Sequence, residues 1–405
     1  GDLGSVEMAK GDGSGGFQKY GIPLYGIAWA PRHGLPMRLT EPDPLLDDQA
    51  CGGKSPAYEE PVTDDSYLAL SGGGGEGRSG IPNSVLLSQF NFASNSLSDQ
   101  PAAKLGFGSD LPYRMAVHPT GEGIVCSLPK SCKWLEWVVV KCSDTYTMGM
   151  KLSEKILDQL EDIGQQLAVT FNSNGSMLAV GGEDGRLRVF KWPSMEIVID
   201  EVDVHASVKD MTFSTDGKLL ASLGGGGPCR VWDLSSSNAV ASLRKENDEV
   251  FGFCRFCESI DGSQILYTTL MRNNGGSIVS WDTTSWQRMR SKQLARDPIS
   301  AFNVSDDGKW LAVGTIQGDL LIVNSNNMRV GTSVRKAHMG LVTALAFSHD
   351  SRALASASMD SSARVTLIQD KKRSGLSWLV MVFIIFMAVV GYVLRAQGVL
   401  PFHNK

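Results

Sequence analysis

The residues whose types and spacing could do chemistry lie mainly in one stretch, Gly72-Gly73-Gly74-Gly75-Glu76-Gly77-Arg78-Ser79-Gly80-Ile81-Pro82-Asn83. Two phosphate-binding patterns almost fit it. Gly75-x-Gly77-x-x-Gly80 has the dinucleotide spacing, which needs a helix after the third glycine so that its N-terminus meets the pyrophosphate. Ile81-Pro82-Asn83 and a strand-like run follow instead. Gly72-x-x-x-x-Gly77-Arg78-Ser79 approximates a phosphate loop, but Arg78 stands where a lysine is required, and a planar guanidinium does not replace a compact ammonium there. Six glycines in nine residues cost much backbone entropy to order. Such a loop is either a disordered connector or a backbone that must approach something side chains would block. Pro82-Asn83 and the tight apolar flanks, Tyr67-Leu68-Ala69-Leu70 and Val85-Leu86-Leu87, favour the second reading. A loop of that kind presents carbonyls and a stiff Ile-Pro-Asn tip to a protein partner.

Other reactive residue types have plainer explanations. The seven cysteines, Cys51, Cys126, Cys132, Cys142, Cys229, Cys254 and Cys257, are odd in number and sit in apolar contexts, as in a cytosolic body. Cys254-x-x-Cys257 lacks a second pair at zinc spacing and alternates with Phe253 and Phe256, so it reads as core strand. Glu59-Glu60 falls in the proline-rich, acidic stretch 31–65, which cannot bury a core and is expected to be a disordered insertion. A net charge of −5 over 405 residues gives no reason to expect nucleic acid as a partner. Residues 1–19, rich in glycine and small side chains, are expected to be flexible.

The elements that must position the loop are repeats. Phe171-Asn172-Ser173-Asn174-Gly175-Ser176-Met177-Leu178-Ala179-Val180 is echoed by Phe213-Ser214-Thr215-Asp216-Gly217-Lys218-Leu219-Leu220-Ala221, and again from Val304 and Phe347. Each is strand, polar turn, strand. The turn residues Gly175, Gly217, Gly262, Gly308 and Ser351 are 42, 45, 46 and 43 positions apart. A third strand carrying Trp follows several copies, with Trp232-Asp233 and Trp281-Asp282 as the pairs. Period and Trp-Asp pairs resemble WD repeats, which build four-stranded propeller blades. Seven units follow: one over residues 20–92 containing the loop, then others around 113–137, 165–192, 207–234, 250–283, 298–324 and 341–368. The predicted fold is all-β, a seven-bladed propeller over 20–370. Its Trp, Asp, His205 and His338 are read as structural. Residues 149–163 fit either a short amphipathic helix or a strand and loop.

Trp378 to Leu394 is 17 residues without a charge, near the short end of what spans a bilayer. Lys371-Lys372-Arg373 lies in a basic linker (371–377), placing the propeller on the cytosolic side and 395–405 across the membrane. A short span suits a thin bilayer such as that of the endoplasmic reticulum.

A cytosolic seven-bladed propeller, a C-terminal anchor and a first blade carrying GGGGEG-x-x-GIPN together resemble the Sec-twelve (SEC12) family. These are guanine-nucleotide exchange factors anchored in the endoplasmic reticulum, acting on the small GTPase that starts COPII coat assembly. The start Tyr20-Gly21-x-Pro23-x-Tyr25 also looks like the family's first strand. The resemblance implies that backbone carbonyls of Gly73, Gly74, Gly75, Glu76 and Gly77 hold a potassium ion. It further implies that Gly80, Ile81, Pro82 and Asn83 meet the GTPase, with no covalent chemistry. The alternatives are a non-catalytic relative acting in export, like the plant phosphate transporter traffic facilitators, or a membrane-tethered scaffold.

Overall fold

The structure, a computed structural model, describes residues 16–31, 65–77, 79–142, 145–246, 248–259, 261–273, 275–368, 382–383, 385–390 and 392. Residues up to 367 form one compact unit and 368–405 a second. The first unit contains seven antiparallel sheets. Blade one holds Leu24–Trp29, Asp65–Gly72 and Ser84–Asn91, whose last strand pairs with both Ser96–Leu97 and Ala103–Gly106. Blade two runs from Met115 to Leu152, blade three from Gln166 to Glu201 and blade four from Val208 to Leu243. Blade five covers Val250 to Ala295, blade six Ile299 to Val334, and blade seven is built on Val342–Phe347, Ala353–Ser358 and Ser362–Leu367. The seven predicted units are therefore seven blades.

The second strand of each blade is covered on both faces by neighbouring blades, so it is continuously apolar instead of alternating. Leu178, Ala179 and Val180 in blade three, and Leu311, Ala312 and Val313 in blade six, are each fully buried. Outer strands read the other way: Asn238–Leu243 is largely exposed until Leu243. The repeated turns work by a local device. The N–H of Gly175, Gly217, Gly262, Gly308 and Ser351 closes each turn onto the carbonyl three residues back. All five residues have positive φ, from 56° to 80°, which is why glycine recurs there.

The expectation that residues 1–19 are flexible is corrected at its end. Phe17–Lys19 is a strand, pairing Phe17 with Arg364, Gln18 with Ala363 and Lys19 with Ser362. The Val365 N–H donates to the Gly16 carbonyl at 2.7 Å. The last repeat supplies only three strands, and the free edge of its third strand takes this N-terminal segment as a fourth. Three residues carry too little periodicity to announce themselves. The acidic insertion lies almost wholly outside the described residues, as do eight of the 17 residues of the span 378–394. Within 378–394, residues 382–383, 385–390 and 392 are helical, with Phe383, Ile385, Phe386 and Tyr392 each at least 60% exposed. No helix of the described residues is long and apolar enough to cross a membrane. Residues 149–163 resolve as the end of a strand, a loop and a single 3-10 turn, Asp158–Leu160, which buries Leu157 and Leu160.

The structural histidines act as expected. His338 hydrogen-bonds Ser362 through Nδ1 (2.6 Å) and Ser356 through Nε2 (2.8 Å), and the Ser362 hydroxyl donates to Asp360. His205 Nε2 meets Ser222 Oγ at 3.0 Å, and the Trp232 indole donates to the same oxygen at 3.1 Å. Burial lowers both imidazoles to about 4. They fold neutral, so between about 6.5 and 4 the unfolded chain binds more protons and stability falls as pH falls. Asp360, also depressed, gives way only below that window. The double variant His205→Gln/His338→Gln is expected to lose less unfolding free energy than the parent between pH 7 and pH 5, by urea titration. Equal slopes would reject the assignment. Removing residues 1–19 is expected to lower the thermal midpoint and promote self-association through the bared edge, checked by melting and light scattering. An unchanged midpoint would show that the closing strand contributes nothing.

Candidate functional site

The first strands of neighbouring blades contact each other around the ring, and Leu24–Trp29 meets Val342–Phe347 to close it. Strands run antiparallel from this innermost position outward. The links between second and third strands, and those between successive blades, therefore emerge on one common face. The glycine loop is the second-to-third link of blade one. Its legs stay paired to the end, with Gly72 opposite Ser84, so the loop springs from a rigid root.

Glycine is required in the loop for two different reasons. A Cβ on Gly73 would lie 2.2 Å from Asn83 Oδ1, and one on Gly74 would lie 2.2 Å from Ser79 Oγ and 2.9 Å from Ile81 Cβ. These two positions are closed by crowding. Gly75 (φ 76°) and Gly80 (φ 71°) are set by conformation instead, with open space around them. The Gly73 N–H anchors the root by donating to the Pro23 carbonyl at 3.0 Å.

Asn83 holds the loop in shape. Its Oδ1 accepts from the Gly75 N–H at 2.9 Å, and its Nδ2 donates to the carbonyls of Gly75 and Gly108, both at 3.1 Å. The side chain is 3% exposed. Asn83, expected to meet the GTPase together with Gly80, Ile81 and Pro82, is instead turned inward here. A loop with so few backbone partners needs a side chain that imitates a peptide group, and Asn83 supplies both halves. Gly80 and Pro82 are exposed, as are Glu76 and Gly77, while Ile81 is half-buried. Arg78 lies outside the described residues.

The donor set suits a weakly hydrated monovalent cation. Among the described residues no hydrogen bond ends on the carbonyls of Gly73, Gly74, Glu76 or Gly77, whereas that of Gly75 is shared with Asn83. The neighbouring Ser84 hydroxyl is fully buried and has no hydrogen-bond partner among the described residues. Crowding at Gly73 and Gly74 leaves room for carbonyls but not for side chains. No cluster of His, Cys, Asp or Glu capable of holding a metal occurs among the described residues. Cys254 and Cys257 are buried strand residues, and burial raises both thiols, Cys257 to about 11.

Beside the loop, at the inner ring, lies a cluster that sequence reading missed. The Arg114 guanidinium donates to the carbonyls of Tyr25 and Thr343, each at 3.3 Å, and lies 4.6 Å over the Tyr113 ring. Tyr25 and Tyr113 pack with ring centroids 5.8 Å apart. Three blades meet at one arginine. The only sequence signal is that these residues stand at or just before the first strand of a blade.

Asn83→Ala is expected to leave the propeller folded, because the loop buries little apolar surface, but to free the Gly75 N–H. Its amide exchange should quicken by about 10-fold or more, for a local loss of roughly 1–3 kcal/mol. Unaltered exchange at Gly75 would reject the clamp.

Comparison with known proteins supports the same architecture. The WD40 family (WD domain, G-beta repeat) matches residues 164–191 and 331–366. The chain is 47% identical over 363 residues to SEC12-like protein 2 of Arabidopsis thaliana, covering 89% of this chain and 90% of that protein. It is 31% identical over 321 residues to SEC12-like protein 1 of the same plant, covering 77% and 78%. Mouse guanine nucleotide-exchange factor SEC12 is 25% identical over 391 residues, covering 80% of this chain and 90% of its own length. Ordered loop, closed ring and near full-length similarity agree: the chain belongs to the SEC12 family.

Proposed function

We propose that this chain is a guanine-nucleotide exchange factor for the small GTPase that starts COPII coat assembly, acting in transport from the endoplasmic reticulum to the Golgi. The observation that carries the reading is the glycine loop. It is held in one shape by Asn83, rooted on paired strands, and leaves Gly80 and Pro82 exposed. A relative named for exchange activity covers most of the chain.

In this reading the chain supplies no acid, base or nucleophile. Gly80, Ile81 and Pro82 meet the GTPase beside its nucleotide site and favour the nucleotide-free form, which lowers the barrier to GDP loss. The equilibrium between nucleotides is unchanged, because the factor leaves after exchange. Asn83 is a positioning residue that keeps the tip presented. The carbonyls of Gly73, Gly74, Glu76 and Gly77, with that of Gly75 shared, would hold a potassium ion. When bound, the ion offsets the mutual repulsion of converging carbonyl dipoles. Residues 382–383, 385–390 and 392, helical and apolar, fall within the proposed anchor 378–394, and the preceding Lys371-Lys372-Arg373 supports a propeller on the cytosolic side of the endoplasmic reticulum membrane.

The test is release of fluorescent GDP from the purified GTPase, with the chain in liposomes, in potassium and then in tetramethylammonium. Acceleration of about tenfold or more is expected, equivalent to ~1.4 kcal/mol or more of barrier. It should fade in the organic cation and be lost in Gly74→Val with the thermal midpoint unchanged. Acceleration indifferent to the cation would discard the cradle. A folded chain that accelerates nothing would favour a non-catalytic export factor.

A further inference from the structure

The exposed part of the glycine loop is too small to hold a partner by itself. A stable complex buries roughly 800 Å² on each side, and the described loop exposes only Glu76, Gly77, Ser79, Gly80 and Pro82, with Ile81 half-covered. The footprint must continue onto the propeller, and the two sides of the loop differ in kind. Toward blade two the neighbouring links expose Ser109, Asp110 and Lys130. Toward blade seven they expose Met339 (77%), Met359 (43%) and, on blade six, Ile316 (43%), among the polar Gln317, Arg335 and Lys336.

These three apolar side chains sit on links joined by backbone hydrogen bonds that lead to the loop. The His338 N–H, beside Met339, donates to the Gly318 carbonyl in the blade six link at 3.1 Å. The Met359 N–H donates to Leu341 at 3.3 Å, and the Tyr20 N–H donates to Ser361 at 2.9 Å. Pro23, three residues beyond Tyr20, accepts from the loop root at Gly73. Ile81 itself packs against a cluster that includes Leu24 and Leu70 of blade one and Ala357 and Ala363 of blade seven. The loop thus leans toward blade seven, and apolar surface continues in that direction across rigidly linked backbone.

We infer that the small GTPase docks from the glycine loop across blade seven onto the edge of blade six, with Met339 and Met359 as its apolar seat. This rests on the exchange reading and adds the direction of the footprint. Large, flexible methionines exposed beside a stiff tip suit a partner whose surface changes shape as nucleotide leaves.

The experiment uses the full chain in liposomes and the purified GTPase loaded with fluorescent GDP, varying the exchange-factor concentration. Met339→Asp/Met359→Asp is expected to raise the half-saturating concentration at least tenfold while the maximal release rate stays within about twofold. Gly74→Val should instead lose the maximal rate. Val202→Asp, at a residue 61% exposed on the same face beside blade three, is the control and should match the parent. Circular dichroism melts check that the variants fold. A double variant that saturates like the parent, or a Val202→Asp effect of equal size, would overturn the footprint and leave exchange intact. A parent chain that releases no GDP above background would overturn both.

Discussion

Closure of the ring is the constraint on which the rest of this structure depends. A propeller blade is covered on both faces only if every blade has two neighbours, so a ring with a gap would leave the fully buried second strands of two blades facing water. The gap is sealed at two levels. Leu24–Trp29 packs beside Val342–Phe347 near the axis, and Thr343 donates through its hydroxyl to the Leu24 carbonyl at 2.7 Å. At the rim, Phe17–Lys19 completes the last sheet. The same closure brings Arg114 within reach of Tyr25 and Thr343, and sets the glycine loop beside blade seven.

On that frame the loop itself is organised by a different logic. Strand pairing stops at Gly72 and Ser84, and beyond it the backbone has few partners of its own. One side-chain amide replaces the missing ladder, meeting both the N–H and the carbonyl of Gly75 and reaching across to Gly108. Glycine serves two ends here. At Gly73 and Gly74 it removes a Cβ that would collide with Asn83, Ser79 or Ile81, and at Gly75 and Gly80 it admits a left-handed backbone. Gly77 meets neither need, since a Cβ there would come no closer than 3.9 Å to anything but its own neighbours.

What the sequence disclosed follows from which features are local. The repeat turns were legible because a left-handed residue at one fixed place leaves a glycine every forty-odd positions. The second strands were legible because two-sided burial writes an unbroken apolar run. The loop was visible by composition and its family resemblance by motif. Asn83, however, looks like part of a protruding tip when read in a line, and only the fold turns it inward. Arg114 and Phe17–Lys19 were silent for a related reason. Arg114 meets carbonyls 89 and 229 residues away, and Phe17–Lys19 pairs with a strand more than three hundred residues on, so nothing near them in sequence marks the contact.

The placement of Phe17–Lys19 also has a consequence for the order in which the molecule is made. This strand leaves the ribosome before every other strand of the propeller, and its partner Ser362–Leu367 is among the last parts of the propeller to follow. All other blades are assembled from strands that are consecutive in the chain and can form as they emerge. The seventh cannot. Through most of synthesis the chain is an open arc with an unused strand at one end, and the ring shuts in a single late step that joins its beginning to its end.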